Sequence, residues 1–228
     1  MILFSCEAAA PLLLAEFPDA AVCALPPDGR LASPVSGHPD MLLFADGNVA
    51  VVEESYARFN RDLLTPYFSC GRMLTAAVPR EETYPNDIGL NAMAVGRFIF
   101  CNVAHTAKEI LVCGKEIVDV RQGYAACSTL VLSSSCIVTA DPSIARAAEQ
   151  HGIDVVSVRP GFVRLPGYDT GFVGGASARV GNTVCFFGDP SSHPDFSVIE
   201  SACARLHLQI RTLVRGPLID LGGVRVLL

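Results

Sequence analysis

Five short segments of this chain resemble one another when stacked on a single position. They are His38-Pro39-Asp40-Met41-Leu42-Leu43, Pro85-Asn86-Asp87-Ile88-Gly89-Leu90, Ala125-Ala126-Cys127-Ser128-Thr129-Leu130, Gly167-Tyr168-Asp169-Thr170-Gly171-Phe172 and Leu218-Ile219-Asp220-Leu221-Gly222-Gly223. The shared position carries Asp40, Asp87, Cys127, Asp169 and Asp220. If the segments are equivalent, four carboxylates and one thiol meet in a central channel that favours a cation and holds one nucleophile. His38 lies two residues before Asp40, a spacing that puts both on one face of a strand. Asn86, Ser128 and Thr170 stand beside three of the anchors and could hydrogen-bond a ligand; Asn91 and Gln122 rank below them. Tyr84, Tyr124 and Tyr168 each precede an anchor by one to three residues and suit the rim of a pocket in a chain without Trp.

Plainer roles stand beside these. Asp is common at turns and strand starts, where it binds backbone N–H groups. Cys127 has eight fellow cysteines that read as small hydrophobes. Pro39 beside His38 suits a turn. His193-Pro194-Asp195 echoes the first segment but falls at a helix start, where capping explains it, and His151 and His207 fall at helix ends. The run Gly171–Ala176 has the spacing of neither a dinucleotide fold nor a phosphate loop. Against the turn reading stands the recurrence, since clustered buried carboxylates are costly without a partner.

The anchors are spaced by 47, 40, 42 and 51 residues, a period that marks repeat architectures. Ahead of each lies a strand-like run: Ala20–Leu25, Leu74–Val78, Glu116–Val120, Asp154–Val158 and Gln209–Val214. After each comes a second: Asn48–Val52, Phe98–Asn102, Cys136–Thr139, Thr183–Phe187 and Val224–Leu228. Short length and β-branched content favour strands. Helical stretches follow at Glu54–Leu64, Thr106–Val112, Ile144–Gln150 and Pro194–Leu208, the third opened by Asp141-Pro142 and closed by Gly152. The fifth segment stops before any helix, whereas the chain begins with a strand-like Met1–Ser5, a helix-like Glu7–Phe17 and the run Ala20–Leu25. The expected architecture is α/β: one domain over 1–228, a pseudo-fivefold propeller of ββαβ-type units whose ring is closed by the N- and C-terminal segments. The loops Arg30–Gly37 and Gly161–Pro166 would line one mouth of its channel.

Composition narrows the classes. Half of the 228 residues are hydrophobic and 18% are charged, which excludes intrinsic disorder. A net charge of −6 without basic runs argues against nucleic acid and anionic membranes as partners. No apolar run reaches the ~18–20 residues of a membrane span, and the N-terminus lacks the basic region of a signal peptide. The nine cysteines are Cys6, Cys23, Cys70, Cys101, Cys113, Cys127, Cys136, Cys185 and Cys203. They form no C-x-x-C pair, so no zinc or dithiol site is expected. Their scatter and odd number suit a reducing, cytoplasmic location.

With Tyr84-Pro85-Asn86-Asp87, Gln122-Gly123-Tyr124-Ala125-Ala126-Cys127-Ser128 and Gly167-Tyr168-Asp169-Thr170-Gly171-Phe172, the chain resembles the pentein, or guanidine-modifying-enzyme, superfamily over essentially its whole length. Its nearest resemblance is to uncharacterised bacterial members. The enzymes include arginine and agmatine deiminases, dimethylarginine hydrolases and glycine amidinotransferase; a ribosomal anti-association factor has a related propeller. The resemblance implies a Cys that attacks a guanidine carbon, a His that shuttles protons, carboxylates that hold the guanidinium, and no metal or organic cofactor. Carried over, Cys127 and His38 become the catalytic pair. Asp40, Asp87, Asp169 and Asp220, with Asn86, Ser128 and Thr170, become the substrate clamp for a small cationic guanidine or amidine. Two features depart from the enzymes' pattern. The last segment, Gly216-Pro217-Leu218-Ile219-Asp220-Leu221, has no Cys, and Gly167 stands where a His-x-Asp match would want His. A rotated layout, His38 in the first unit and Cys127 in the third, restores the pair. The alternatives are a non-catalytic scaffold that binds a cationic small molecule, and a macromolecular interaction protein.

Overall fold

A computed structural model describes residues 1–47, 49–69 and 73–228. Cys70 and the first residue of the run Asn48–Val52 fall outside them. Among the described residues the strands form five separate three-stranded sheets, and no sheet closes on itself.

Four sheets follow one plan. An inner strand turns back into an antiparallel middle strand, a helix crosses over, and an outer strand pairs parallel with the middle one. The chain opens with β1 (Ile2–Cys6), α1 (Ala10–Glu16), β2 (Ala21–Leu25) and the single-turn helix α2 (Pro39–Leu42). The first unit is β3 (Leu43–Asp46), β4 (Val49–Glu53), α3 (Glu54–Phe59), α4 (Arg61–Ser69) and β5 (Met73–Ala76). The second is β6 (Met93–Val95), β7 (Phe98–Cys101), α5 (Lys108–Leu111) and β8 (Glu116–Asp119). The third is β9 (Thr129–Ser133), β10 (Cys136–Thr139), α6 (Pro142–Gln150) and β11 (Asp154–Ser157). The fourth is β12 (Ser177–Val180), β13 (Thr183–Phe186), α7 (Phe196–Arg205) and β14 (Gln209–Thr212), after which comes β15 (Arg225–Leu227). The two ends of the chain share the fifth sheet: β15 pairs antiparallel with β1, and β1 pairs parallel with β2. The N-terminal segments thus supply the middle strand, helix and outer strand that β15 needs.

The middle strands are buried on both faces, Phe98–Cys101 and Cys136–Thr139 along their whole length. This explains their continuous apolar sequences, which show no alternation. Helices cover the sheets of their neighbours. Ile144 and Ala148 of α6 pack on Met93, Phe98 and Phe100 of the second sheet, and Ile199 and Cys203 of α7 on Leu130 and Val138 of the third. Leu13, following β1, packs with Ala178 and Val180 of the fourth sheet, and Leu42, Val52 and Tyr56 pack with Phe4 and Leu25 of the fifth. Each apolar cluster therefore joins one unit to the next, last to first included.

Two features of the sequence reading need correction. It placed one strand before and one after each anchor, but an inner strand lies between them: β3, β6, β9 and β12. These strands are short, and β3, β9 and β12 carry Asp46, Ser133 and Arg179, so they lack the continuous apolar signature of the middle ones. In the fifth unit Val224–Leu228 is itself this inner strand, and β1 is its middle strand. Glu54–Leu64 also divides, into α3 and α4 around Asn60, whose backbone N–H donates to Tyr56 O at 3.0 Å.

A buried charge cluster fixes the segment leading into the first unit. Arg30 Nη2 lies 2.8 Å from Asp28 Oδ2 and 2.7 Å from Glu53 Oε2. Arg80 Nε lies 3.8 Å from the same Asp28 oxygen. Arg80 Nη1 donates to Met41 O at 2.5 Å and Nη2 to Leu42 O at 3.4 Å, which satisfies the open carbonyl end of α2. Burial holds the Arg80 pKa down to about 10, against the pull of Asp28 and Glu53. Arg80→Met leaves Asp28 and the α2 carbonyls without this cation, and removing one partner of a buried pair costs about 3–5 kcal/mol. Thermal unfolding of this variant is expected several degrees below wild type, whereas Arg97→Met, at an exposed pair with Glu116, should unfold with wild type.

Candidate functional site

The inner strands run from a cluster of polar side chains towards the hairpin turns. Cys127 stands two residues before β9, Asn91 two before β6, Gly175 two before β12 and Gly223 two before β15, while Asp40 precedes β3 by three. This register differs from the one read in sequence. Asp87, Asp169 and Asp220 lie further upstream, so the five anchors are not structural equivalents.

Four of the expected groups nevertheless converge: Cys127, His38, Asp40 and Asp220. Pro39 opens α2, His38 precedes it with extended backbone, and Asp40 sits in its first turn. The His38 side chain makes no cap to the helix. Its Nδ1 instead lies 3.6 Å from Asp220 Oδ1. Asp220 accepts from the backbone N–H of Phe172 at 2.8 Å and of Gly222 at 2.9 Å. A Cβ on Gly175 would run into the Asp220 carboxylate, so glycine is required there for strand and acid to meet. Asp40 is fully buried, and no N–H or O–H of another residue donates to its oxygens; the Cys127 thiol stands beside it.

Asn91 ties this arrangement together. Its Nδ2 lies 3.1 Å from Cys127 Sγ and 3.3 Å from Met41 Sδ. Its Oδ1 accepts from Ala126 N at 2.8 Å and Cys127 N at 3.4 Å. Asn91 ranks below Asn86 in the sequence because the repeat there aligns on Asp87. The usable signal was its distance from the start of the inner strand, the same as that of Cys127.

Cys127, His38 and Asp220 face a pocket of about 150 Å³ whose other lining residues include Met41, Tyr124, Leu165, Tyr168, Thr170 and Phe172. At ~30 Å³ per water this is room for about five waters, enough for a planar group of a few heavy atoms. Val35 and Leu165, from the loops expected at one mouth, both line it. The remaining expected residues lie elsewhere. Asp169 is exposed in an open groove with Arg164 and Tyr168. Asp87 touches the pocket only through Tyr124, whose OH donates to Asp87 Oδ2 at 2.7 Å. Asn86 donates to Glu81 Oε2 at 2.9 Å and lines a different hollow with His105. Ser128 is buried with an unpartnered hydroxyl in a neighbouring pocket with His193. Thr170 lines both pockets, its hydroxyl 3.1 Å from Val163 O. Gln122 donates to Asp141 Oδ2 at 3.0 Å.

The electrostatics favour an added cation. Burial raises the Cys127 thiol well above its ordinary range, and Asp40 and Asp220 raise it further. Burial also raises Asp40, opposed by Arg225 and His38. Asp220 is pushed up to about 6, by burial first, with His38 opposing and Asp40 adding. A guanidinium or amidinium placed among these groups would stabilise both carboxylates and the thiolate. Three aromatic rings around it could add cation–π attraction.

The sequence model of the Family of unknown function (DUF6873) matches residues 16–225. No curated protein matches the chain in sequence. Among solved structures, a cysteine-to-serine variant of DDAH from Pseudomonas aeruginosa, complexed with citrulline, superposes with a TM-score of 0.55 at 12% identity, over 93% of this chain and 91% of that one. SxtG, an amidinotransferase from Microseira wollei in the saxitoxin biosynthetic pathway, gives 0.52 at 14% identity over 91% and 75%. The N-terminal domain of ArgZ, a cyanobacterial arginine dihydrolase, bound to substrate, gives 0.51 at 11% over 92% and 90%. These proteins are penteins, and the chain shares their fold.

Asp220 gives the site a pH signature. Its carboxyl binds a proton more tightly in the fold, with a pKa of about 6, than in the unfolded chain at 3.8. Its stabilising contribution is full below 3.8 and lost as pH rises through 6. Between pH 4 and 7 the unfolding free energy of Asp220→Asn should therefore rise relative to wild type, by about 3 kcal/mol at most. Parallel urea titrations across that range check the difference, and two curves that stay parallel would refute it.

Proposed function

The chain belongs to this family of unknown function, DUF6873, and we propose that it is a guanidine-modifying enzyme: a cysteine-dependent hydrolase or transferase acting on a small guanidine or amidine. One observation carries the reading. A thiol, an imidazole and the Asp220 carboxylate line an aromatic-walled pocket, and a second carboxylate, Asp40, is buried behind the thiol. The proteins of the same fold include an amidinotransferase and an arginine dihydrolase. In this reading the five units form a ring about the site, supported by apolar clusters that join each unit to the next.

The chemistry follows from the groups present. The cationic head enters beneath Tyr124 and Phe172, and its N–H groups pair with Asp40 and Asp220. Its charge offsets the repulsion that keeps the Cys127 thiol protonated, and the thiol proton passes to His38. The sulfur forms a bond to the central carbon. A C–N bond breaks, and the leaving amine departs with the proton from His38. In hydrolysis a water gives a proton to His38 and adds to the same carbon, and the C–S bond breaks to release the oxygenated product and the thiol. In transfer an amine takes the place of that water. Asn91 acts as a positioning residue for the thiol, and Asp87 for Tyr124. Thr170, Ser128 and Asp169 would meet the rest of the substrate at the neighbouring pocket and outer groove. The eight free thiols among the described residues support a reducing, cytoplasm-like setting.

One observation favours the second reading, a scaffold that binds a cation without turning it over: Cys127 is only 4% exposed, and its neighbours hold it protonated. The two readings separate by alkylation with limiting chloroacetamidine and mass-spectrometric mapping. A catalytic site labels Cys127 ahead of every other cysteine, and Asp220→Asn suppresses that labelling. Once a substrate is in hand, Cys127→Ser abolishes turnover and His38→Ala slows it by about 10²–10⁴. Labelling without preference for Cys127 refutes the nucleophile and leaves the scaffold.

A further inference from the structure

The inner strands of all five sheets line a second cavity, of about 470 Å³, which extends along them to their hairpin turns. Residues 126–129 divide the two spaces: Ala126 and Thr129 face this cavity, and Cys127 faces the other. Although the chain carries a net charge of −6, the lining holds Lys115, Arg179 and Arg225 against a single acidic side chain, Asp46. Lys115 is committed, with Nζ 2.8 Å from Asp46 Oδ2 and 2.8 Å from Gly96 O. Neither guanidinium pairs with a carboxylate within 4.0 Å among the described residues.

Their donors are only partly used. Arg179 gives Nε to Gly181 O at 2.8 Å and Nη1 to Leu132 O at 2.6 Å, which leaves its Nη2. Arg225 Nε is buried and donates to nothing. Thr129 is 5% exposed, and its hydroxyl has no partner. Arg225 and Thr129 open their strands at equivalent positions and face the same space. Buried donors without acceptors are costly, so a cavity that gathers them calls for oxygen atoms bearing charge.

We propose that this cavity is a binding site for a small oxyanion, a carboxylate or phosphate group, held by the guanidinium groups of Arg179 and Arg225 and the hydroxyl of Thr129. Forked guanidinium N–H groups match two oxygens on one centre, which a halide or a neutral ligand does not offer. The space holds about fifteen water volumes, enough for such a group with an organic remainder. The site is independent of any chemistry at Cys127, which lies across the partition.

Isothermal titration of the full chain with inorganic phosphate, and separately with citrate, tests the proposal. One saturable site is expected for at least one of the anions, and the tighter of the two assigns phosphate or carboxylate. Arg179→Gln should weaken that binding about tenfold or more. Thr129→Val, which keeps the shape and removes the hydroxyl, should weaken it less, and it serves alone if Arg179→Gln does not fold. Cys127→Ser should leave it unchanged. Absence of saturable binding, wild-type affinity in both cavity variants, or loss in Cys127→Ser would each overturn the assignment.

Discussion

Burial of Asp40 and Asp220 beside the Cys127 thiol is the constraint around which the rest of the site is arranged. Two carboxyls removed from water would ordinarily be neutralised by fixed cations or a full set of donors. Here Asp220 receives two backbone N–H groups and faces His38. Asp40 receives no N–H or O–H from another residue and has only the Cys127 thiol beside it. The shortage is expressed as raised pKa values on Asp40, Asp220 and Cys127 alike. A fold meant only to be stable would replace such a cluster with apolar side chains at little cost. Keeping it is reasonable where a cation must be drawn in, and where that cation's arrival is what frees the thiolate.

The supporting structure can be traced outward from that constraint. Asp40 and His38 stand on a single turn of helix, too short to hold its own position. Arg80 closes its carbonyl end and faces Asp28, which also pairs with Arg30, and Arg30 pairs in turn with Glu53. Glu53 serves twice, since it also caps α3 through Ser55 N at 2.9 Å and Tyr56 N at 2.7 Å. On the other side Asn91 fixes the Cys127 turn, and Gly175 lets β12 approach Asp220 closely. Each device comes from a different unit, so the site exists only when the units are packed together. The apolar clusters between consecutive units make that packing cooperative.

The sequence was most legible where burial was simplest. Middle and outer strands and the helix opened by Asp141-Pro142 read clearly because apolar content and caps are local signals. The repeat pointed to Cys127 and Asp40 just before their inner strands, but its register was wrong for Asp87, Asp169 and Asp220, and Asp220 reaches the cluster from a different backbone position. That error has a physical source. Stacking on acidic residues assumes that equivalent positions keep equivalent chemistry, but the backbone positions matching Cys127 carry Asn91, Gly175 and Gly223, which no residue-type pattern aligns. Asp169 shared the anchor pattern and is exposed; Asn86 shared it and turns towards Glu81. Inner strands stayed hidden because they line cavities, and polar side chains there break the apolar run.

Those inner strands also separate two differently charged surroundings a short distance apart. Met41 and Cys127, just before β3 and β9, face the pocket with Asp220, and the strands themselves face the space with Arg179, Arg225 and Lys115. Arg225 opens β15 between the two. It opposes the rise in the Asp40 pKa, and it lines the second cavity. One arginine at the start of one strand thus stands between the buried acid and the second cavity.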